Sequence, residues 1–231
     1  MFLNYRCPAE LLDPLVPQGT VLDDWNGVTL VSLVGFLFTD TRVSGLPIPF
    51  FRTFEEVNLR FYVRRTSSDG EVRRAAVFIR ELVPRHAIAA VARLIYNEPC
   101  IAASMTHRTS MTSVDGGSAT YAWRYRGERF VLSAEVTGPS RSLMPGSEAA
   151  FITERYWGYT RQRDGGTLEY KVEHPTWQVW EAGTATFSGP AASLYGPALG
   201  GILAAPPRSV LVAAGSEVAV HAGLRLVGGA S

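Results

Sequence analysis

Short runs of alternating hydrophobic and polar residues, separated by glycine-containing turns, dominate this chain. Such alternation has the period of a β-strand, and a turn rich in Gly, Asn or Asp between two runs is typical of a β-hairpin. The turns of this kind are Asn26-Gly27, Ser68-Asp69-Gly70, Asp115-Gly116-Gly117, Arg126-Gly127-Glu128 and Asp164-Gly165-Gly166. Their succession along one chain predicts an antiparallel meander or barrel.

The strand predicted at 56–65 has the clearest alternation, because successive side chains of a strand point to opposite faces. The polar face consists of Glu56, Asn58, Arg60 and Tyr62, and the apolar face consists of Val57, Leu59, Phe61 and Val63. In an antiparallel sheet the polar face commonly meets water. In a barrel wide enough to hold a ligand, the same face would line the lumen. The pattern by itself leaves both arrangements open.

Few segments have the period of a helix. In Pro84–Tyr96, apolar residues recur at spacings of three and four and form one hydrophobic face. Pro8–Leu15 starts with a proline where a helix tolerates it, and Gly146-Ser147 precedes a short helix with a favourable cap. Pro190–Leu203 is rich in Gly, Ala and Pro, which fits a loose helix or a loop.

No repeat, long charge run or linker interrupts these elements. We therefore expect one domain over residues 1–231, mainly β with a few helices (α+β). Among the 231 residues, 46% are hydrophobic and 19% are charged, which excludes a disordered chain and allows a sizeable core. The net charge of +1 gives no general attraction to nucleic acid or to anionic membranes.

The two cysteines, Cys7 and Cys100, lack the spacing of a metal site, and we expect them to be free thiols in a reducing compartment. The first residues show no signal-peptide pattern. The longest apolar run, Val28–Phe38, is too short to span a bilayer. These features predict a cytoplasmic protein.

The segment Arg93-Leu-Ile-Tyr-Asn-Glu-Pro-Cys-Ile-Ala-Ala103 resembles the core motif of acetoacetate decarboxylases, R-E-I-x-G-x-P-K-K-x-A. In that motif the first lysine after the proline forms a Schiff base with the substrate. Cys100 stands at that position here, and the only lysine of the chain is Lys171. A thiol cannot form the imine that amine catalysis requires. The resemblance thus implies a decarboxylase-like fold without the decarboxylase's chemistry.

Further motifs resemble the YqjF-like family of uncharacterised bacterial proteins and occur in the family's order. They are Asn4–Pro17, Glu56–Val63, Arg93–Pro99, Phe151–Tyr156 with Tyr159, and His174–Trp177. The family resembles acetoacetate decarboxylase, which implies a single cone-like antiparallel β-barrel closed by a few helices around a cavity. The chain departs from the family at Val172 or Glu173, where relatives carry a second histidine near His174.

The polar face of the 56–65 strand holds the first candidate site. Arg60 has a planar set of donors that could bind a carboxylate or enolate, with Glu56 as its orienting partner or as a general base. Alternatively, Glu56 and Arg60 only neutralise each other. Asn58 and Tyr62 would complete the polar wall of a cavity. The acidic residue on the equivalent strand of the decarboxylases supports Glu56.

Four further candidates have equally open roles. Arg93 reaches the cavity or stabilises the end of its helix. Cys100 is a reactive thiol if a cation or histidine lies nearby, and otherwise a small buried hydrophobe. Tyr156 stacks on a ligand or fills the core. His174 acts as acid or base only if it faces the cavity.

These features predict a small-molecule-binding barrel without the Schiff-base lysine, whose ligand would be a carboxylate or a ketone. One alternative is an enzyme of different acid–base chemistry in the same cavity, with Glu56, Cys100 or His174 as catalytic candidates. A third possibility is a structural protein with a packed interior. No sequence motif for a cofactor or metal is present. A small molecule is the expected partner, with neither nucleic acid nor membrane, and a homo-oligomer is possible.

Overall fold

The computed structural model describes residues 1–40, 42–43, 46–47, 53–181 and 183–226, without the side chains of 42–43, 46–47, 91–95 and 181. The helices are α1 Ala9–Leu12, α2 His86–Ile95, α3 Glu148–Thr153, α4 Ala191–Tyr195 and α5 Pro197–Leu203, and a 3-10 turn covers Asp13–Leu15. The strands are β1 Phe2–Arg6, β2 Val21–Leu22, β3 Leu30–Phe38, β4 Arg42–Val43, β5 Leu46–Pro47, β6 Phe54–Thr66, β7 Val72–Val83, β8 Cys100–Ala102, β9 Ser104–Thr112, β10 Gly116–Tyr125, β11 Glu128–Thr137, β12 Arg141–Ser142, β13 Trp157–Arg161, β14 Thr167–Glu173, β15 Gln178–Glu181, β16 Thr184–Ser188, β17 Ser209–Ala213, β18 Ala219–Val220 and β19 Leu224–Leu226.

The strands form a large sheet, a four-stranded sheet and the small β4–β5 pair. The large sheet has the order β12-β15-β17-β1-β3-β6-β7-β13-β14-β18, with β2, β8 and β19 attached at its sides. The four-stranded sheet has the order β16-β11-β10-β9. Most pairs are antiparallel, but β7 pairs in parallel with both β13 and β8. The mainly β prediction is confirmed, whereas the single closed antiparallel barrel is wrong: across the described ranges the sheets are open and mixed.

The main hydrophobic core lies between the two sheets. The apolar face of β6 is buried there and consists of Val57, Leu59, Phe61 and Val63. Tyr121 and Leu132 of the four-stranded sheet are buried in the same core. The sheets approach so closely at Gly35 of β3 that a Cβ there would lie 2.9 Å from Tyr121 and 3.0 Å from Leu132. Burial of one such side chain stabilises the fold by about 1.5–3 kcal/mol. A barrel whose lumen is lined by the polar face would turn this apolar face outward, under helices or loops, and that arrangement is wrong, because the apolar face lies in the core between the sheets.

The polar face of β6 is also largely covered, because helices lie over both of its ends. Near the start of the strand, Phe54 packs with Ala89 of α2. Farther along, Tyr62 packs against Phe151 of α3, with ring centroids 5.4 Å apart. The side-chain oxygen of Ser147 accepts the backbone N–H of Ala150 at 3.2 Å, which is the predicted cap of α3.

Four of the five predicted turns connect directly paired strands, at β6–β7, β9–β10, β10–β11 and β13–β14. The exception is Asn26-Gly27, which closes only the isolated Trp25–Val28 bridge. The segment before it, β2, pairs with β6 instead of with β3. The segments predicted at Pro8–Leu15 and Pro84–Tyr96 are helical, and Pro190–Leu203 forms α4 and α5. No helix in the described part of the chain is long and apolar enough to cross a membrane.

The large sheet divides at β7, and we call this point the fork. It positions the polar residues of β6 and β7. Strand β7 pairs with β13 at Ala75 and Ala76, and then with β8 from Glu81 to Val83. Between these pairings, a register shift places one extra residue, Ile79, in β7 opposite β6. The shift brings Glu81 opposite Asn58. In an unshifted register, Arg80 would occupy that place.

Candidate functional site

Three buried glutamates lie together at this fork, and we call Glu56, Glu81 and Glu98 the carboxyl cluster. They come from β6, from β7 and from the segment just before β8, and their exposed fractions are 7%, 7% and 5%. Asn58 donates a hydrogen bond from Nδ2 to Glu56 Oε1 at 3.0 Å. Glu56 and Glu81 lie close enough for a side-chain hydrogen bond between their carboxyl groups. Two adjacent buried carboxyl groups can form such a bond only if they share a proton.

Glu98 extends across the fork to β13 and β14. Its Oε1 accepts a hydrogen bond from the Thr160 hydroxyl and a second one from the Tyr170 hydroxyl at 2.8 Å. The Tyr170 ring packs against Tyr96, with centroids 5.0 Å apart. Glu98 therefore links the two branches of the sheet that separate at β7.

The carboxyl cluster holds protons near neutral pH. Burial raises the pKa of Glu56 to about 7, against a smaller opposing effect of Asn58, Glu81 and Arg60. Burial also raises the pKa of Glu98 to about 7. The pKa of Glu81 is well above its usual range, because burial and the charges of its two neighbours both disfavour its ionised form. Groups with a pKa near the working pH can act as general acids or bases.

Several oxygens around the cluster have no hydrogen-bond partner within the described residues. They are Asn58 Oδ1, Glu81 Oε2 and Glu98 Oε2. A buried polar atom without a partner costs about 1–3 kcal/mol of stability. Nearly all buried polar atoms in native proteins are paired, so an exception needs an explanation. Open acceptors in a group of titratable residues are a feature of binding sites.

Arg60 lies on the predicted face but does not pair with Glu56 among the described residues. Its Nη2 donates to the carbonyl of Ile152 at 3.2 Å, and its guanidinium lies 5.1 Å from the Phe2 ring centroid. Nε is buried and has no partner among the described residues. The predicted direct Glu56–Arg60 pair is therefore wrong, because α3 supplies the carbonyl that binds Arg60. Its positive charge still favours the ionised form of Glu56.

Tyr62 belongs to a different set of contacts. Its hydroxyl lies 2.5 Å from the Ser32 hydroxyl, and the guanidinium of Arg155 lies 4.7 Å from its ring centroid. Arg155 in turn donates to Asp23 at 2.6 Å, and both side chains are 2% exposed. The four polar residues of β6 thus divide among three environments, and only Glu56 and Asn58 join the carboxyl cluster.

Cys100 is buried in an apolar group with Phe54, Val83 and Ala89, in register beside Glu81. Neither Cys100 nor Cys7 forms a disulfide, so the prediction that the two are not bridged is confirmed. The surroundings of Cys100 match the small-hydrophobe interpretation. The side chain of Arg93 lies outside the described residues, although its backbone belongs to the last turn of α2.

His174 and Tyr156 form an aromatic stack rather than part of the cluster. The centroid of the His174 ring lies 4.9 Å from the centroid of the Tyr156 ring and 4.3 Å from that of Trp177. The Nδ1 atom of His174 lies 2.9 Å from the carbonyl oxygen of Pro175. These contacts do not place either residue against the three carboxyl groups.

A cleft of about 220 Å³ opens at the fork, and we call it the fork cleft. It is mostly apolar, and its lining consists of Leu15, Val77, Phe78, Ile79, Asn97, Pro99, Tyr159, Thr160 and Arg161. Thr160 belongs to this lining and also donates to Glu98. The volume lies below the 300–1,000 Å³ of drug-sized ligand sites. The fork cleft is therefore small, and its link to the carboxyl cluster is Thr160, since no glutamate of the cluster is among its lining residues.

Within the described part of the chain, no three or more His, Cys, Asp or Glu side chains are arranged to hold a metal ion. The sequence missed Glu81, Glu98, Thr160 and Tyr170. Glu98 stands inside the decarboxylase-like motif, directly before Pro99 and Cys100, and this position is a signal by which the sequence could have indicated it.

The fold is similar to that of known decarboxylase-type enzymes. The chain matches an acetoacetate decarboxylase from Legionella pneumophila with a TM-score of 0.63 and 14% identity, covering 98% of this chain and 83% of that one. It matches an acetoacetate decarboxylase-like enzyme from Sphingomonas wittichii RW1 with a TM-score of 0.59 and 15% identity, covering 98% and 89% of the two chains. The structure therefore has an acetoacetate decarboxylase-like fold.

Sequence comparison identifies the protein family. Residues 1–217 match the DUF2071 family, described as an uncharacterized conserved protein, and the chain belongs to that family. It is 29% identical over 192 residues to the uncharacterized protein YqjF of Bacillus subtilis (strain 168), covering 79% of this chain and 72% of YqjF. The family resemblance inferred from the ordered motifs is confirmed.

Proposed function

We propose that this protein binds a small organic molecule at the carboxyl cluster, without forming a Schiff base. The observation that supports this most is the set of open acceptors on Asn58, Glu81 and Glu98, all at least nine-tenths buried. Three buried carboxyl groups reduce stability unless something compensates for their burial. A bound ligand would supply that compensation.

Neither the motif position of the Schiff-base lysine nor the single lysine of the chain supplies a suitable amine at this site. Cys100 stands at the motif position of the lysine and packs in an apolar group. The ammonium of Lys171 pairs with Glu173, and both side chains are about half exposed. A desolvated amine is what such chemistry needs. We therefore propose binding through hydrogen bonds and charge for the residues around the cluster.

Three proteins of residues 1–231 test the proposal: the wild type, Glu98→Gln and Glu128→Gln. Glu128 is an exposed glutamate at the start of β11, so its variant controls for the loss of one carboxylate. Native mass spectrometry should detect a small molecule that co-purifies with the wild-type protein and with Glu128→Gln, but not with Glu98→Gln. Equal binding by all three proteins, each shown to be folded by circular dichroism, would contradict the proposal.

A second candidate is an acid–base enzyme acting in the same site on a small carbonyl compound. It is favoured by the pKa of about 7 for both Glu56 and Glu98, since one ionised and one protonated group can then coexist. Catalysed exchange of deuterium into butan-2-one, followed by proton NMR, tests it. The exchange should be lost in Glu98→Gln and kept in Glu128→Gln, and an exchange rate that matches buffer alone argues against catalysis.

A further inference from the structure

Apart from Nε of Arg60, the open atoms around the carboxyl cluster are oxygens, and all three oxygens accept hydrogen bonds when the glutamates are ionised. The amide of Asn58 uses its Nδ2 on Glu56, which leaves its Oδ1 as a buried acceptor without a partner among the described residues. An amide oxygen accepts hydrogen bonds at every pH and cannot donate one. Glu98 already accepts two hydrogen bonds on Oε1, and its Oε2 is open, as is Oε2 of Glu81. A ligand that pairs with all three oxygens while the glutamates are ionised must therefore bring hydrogen-bond donors.

The negative charges of the three glutamates also favour a ligand that carries N–H donors. The ionised forms of Glu56, Glu81 and Glu98 repel one another, and this repulsion adds to the cost of their burial. A ligand carboxylate would add a further negative charge to this group. A ketone brings only an acceptor and leaves Asn58 Oδ1 unpaired. A cation with N–H groups satisfies the open acceptors and opposes the repulsion.

We propose that the group bound at the carboxyl cluster is the protonated amine of a small primary amine, held by Asn58, Glu81 and Glu98. This inference rests on the proposed function, and it replaces the carboxylate or ketone expected from the sequence. An ammonium has three N–H donors, which equals the number of open acceptors. The fork cleft, which shares Thr160 with Glu98, takes the short apolar part of the ligand.

Binding of an ammonium at the carboxyl cluster should be coupled to the release of protons. The titratable and charged groups that face the cluster are Glu56 and Arg60 from β6, Glu81 from β7, Glu98, and Tyr170 from β14. The cluster is partly protonated near neutral pH, and an ammonium stabilises its ionised form. Binding must then release protons, so affinity rises with pH, by up to about tenfold per pH unit for each proton released. The ligand itself stays charged, since simple amines titrate near about 10.

The test compares butan-1-amine, butan-2-one and butanoate, which have similar size and differ in charge and donors. Tetramethylammonium serves as a cation without N–H groups. Ligand-observed NMR gives affinities from about pH 6 to about pH 8, and calorimetry in two buffers of different protonation enthalpy counts the protons. We expect only butan-1-amine to bind, more tightly at higher pH, with proton release and at least about tenfold weaker binding in Glu98→Gln. Glu128→Gln should bind as the wild type does.

The outcomes separate this inference from the proposed function. If butan-2-one or butanoate binds in a Glu98-dependent way and the amine does not, the amine inference is wrong and the proposed function stands. If tetramethylammonium binds as well as butan-1-amine, the hydrogen-bonding argument is wrong. If none of the compounds binds, or binding ignores Glu98→Gln, the amine inference is wrong, and the co-purification experiment decides the proposed function. If Glu98→Gln does not fold, Asn58→Ala replaces it, because this substitution adds no charge. We expect the same loss of affinity for butan-1-amine.

Discussion

The ring of Tyr170 lies directly over Gly158, and a Cβ at Gly158 would be 2.1 Å from Tyr170 Cζ. The two residues are paired across β13 and β14. The absence of a side chain at Gly158 thus allows Tyr170 to reach Glu98, to which it donates at 2.8 Å. A glycine that permits such a close approach contributes to the site, although it supplies no side chain itself.

Gly158→Ala should therefore destabilise the protein and displace Tyr170 from Glu98. The added methyl group overlaps a buried ring, and such overpacking costs about 1–3 kcal/mol. Urea denaturation followed by circular dichroism measures the change. Gly201→Ala is the matched control, because a Cβ there meets nothing within 4 Å. Equal free energies of unfolding for the two variants would show that Tyr170 does not occupy this position.

Arg155→Met should lower the free energy of unfolding by about 3–5 kcal/mol, because it leaves the buried carboxylate of Asp23 without its closest partner. Arg64 remains 3.3 Å from Asp23, but its side chain is 42% exposed and compensates poorly. Arg225→Met is the control, since the Arg225–Asp164 pair is more than half exposed. An exposed pair contributes only about 0–1 kcal/mol. Similar losses in the two variants would contradict the buried network.

The stability of the protein should fall as pH rises from about 4.5 to about 7. In this range the folded state holds protons on Glu56 and Glu98 that the unfolded state has already lost, because their folded pKa is about 7. The folded state is then the one that binds more protons, and raising the pH disfavours it. Glu98→Gln should remove part of this dependence, up to about 3 kcal/mol, in urea titrations at several pH values. A wild-type stability that rises over the same range would contradict the raised pKa values.

Arg60→Gln should raise the pKa of Glu56 above about 7. Arg60 favours the ionised carboxylate through its charge, and glutamine removes that charge. Carbon-13 NMR of the Glu56 carboxyl group measures the pKa. Arg124→Gln removes an exposed arginine of β10 and should leave it unchanged. An unchanged pKa in Arg60→Gln would show that Arg60 does not act on the cluster.

The sequence predicted those parts of the fold that depend on local chemistry. The alternation at 56–65, the turn residues around Gly70, Gly127 and Gly165, and the cap at Ser147 all act through near neighbours in the chain. The motifs that occur along the chain in the family's order indicated the family. The polar face of β6 was also found, because period-two alternation assigns Glu56 and Asn58 to the same side regardless of what covers them.

Other features depend on contacts between distant segments. The position of Glu81 opposite Asn58 depends on the extra residue Ile79, which no local pattern reveals. Glu98 joins the site only because β7 exchanges β13 for β8 at the fork. The same exchange introduces parallel pairs, which hairpin turns cannot predict, so the closed antiparallel barrel was wrong. Arg60 pairs with the Ile152 carbonyl since α3, distant in sequence, covers it.

The central claim is that Glu56, Glu81 and Glu98 form a buried, proton-holding site that binds a small molecule. Selective carbon-13 labelling of glutamate carboxyl carbons tests it most directly, through NMR titration with and without a stabilising ligand. We predict that Glu56 and Glu98 titrate near about 7 and Glu81 higher, and that the ligand shifts these three signals while Glu128 stays unchanged. Ordinary titration of all three near about 4.3, or ligand shifts confined to other glutamates, would contradict the account.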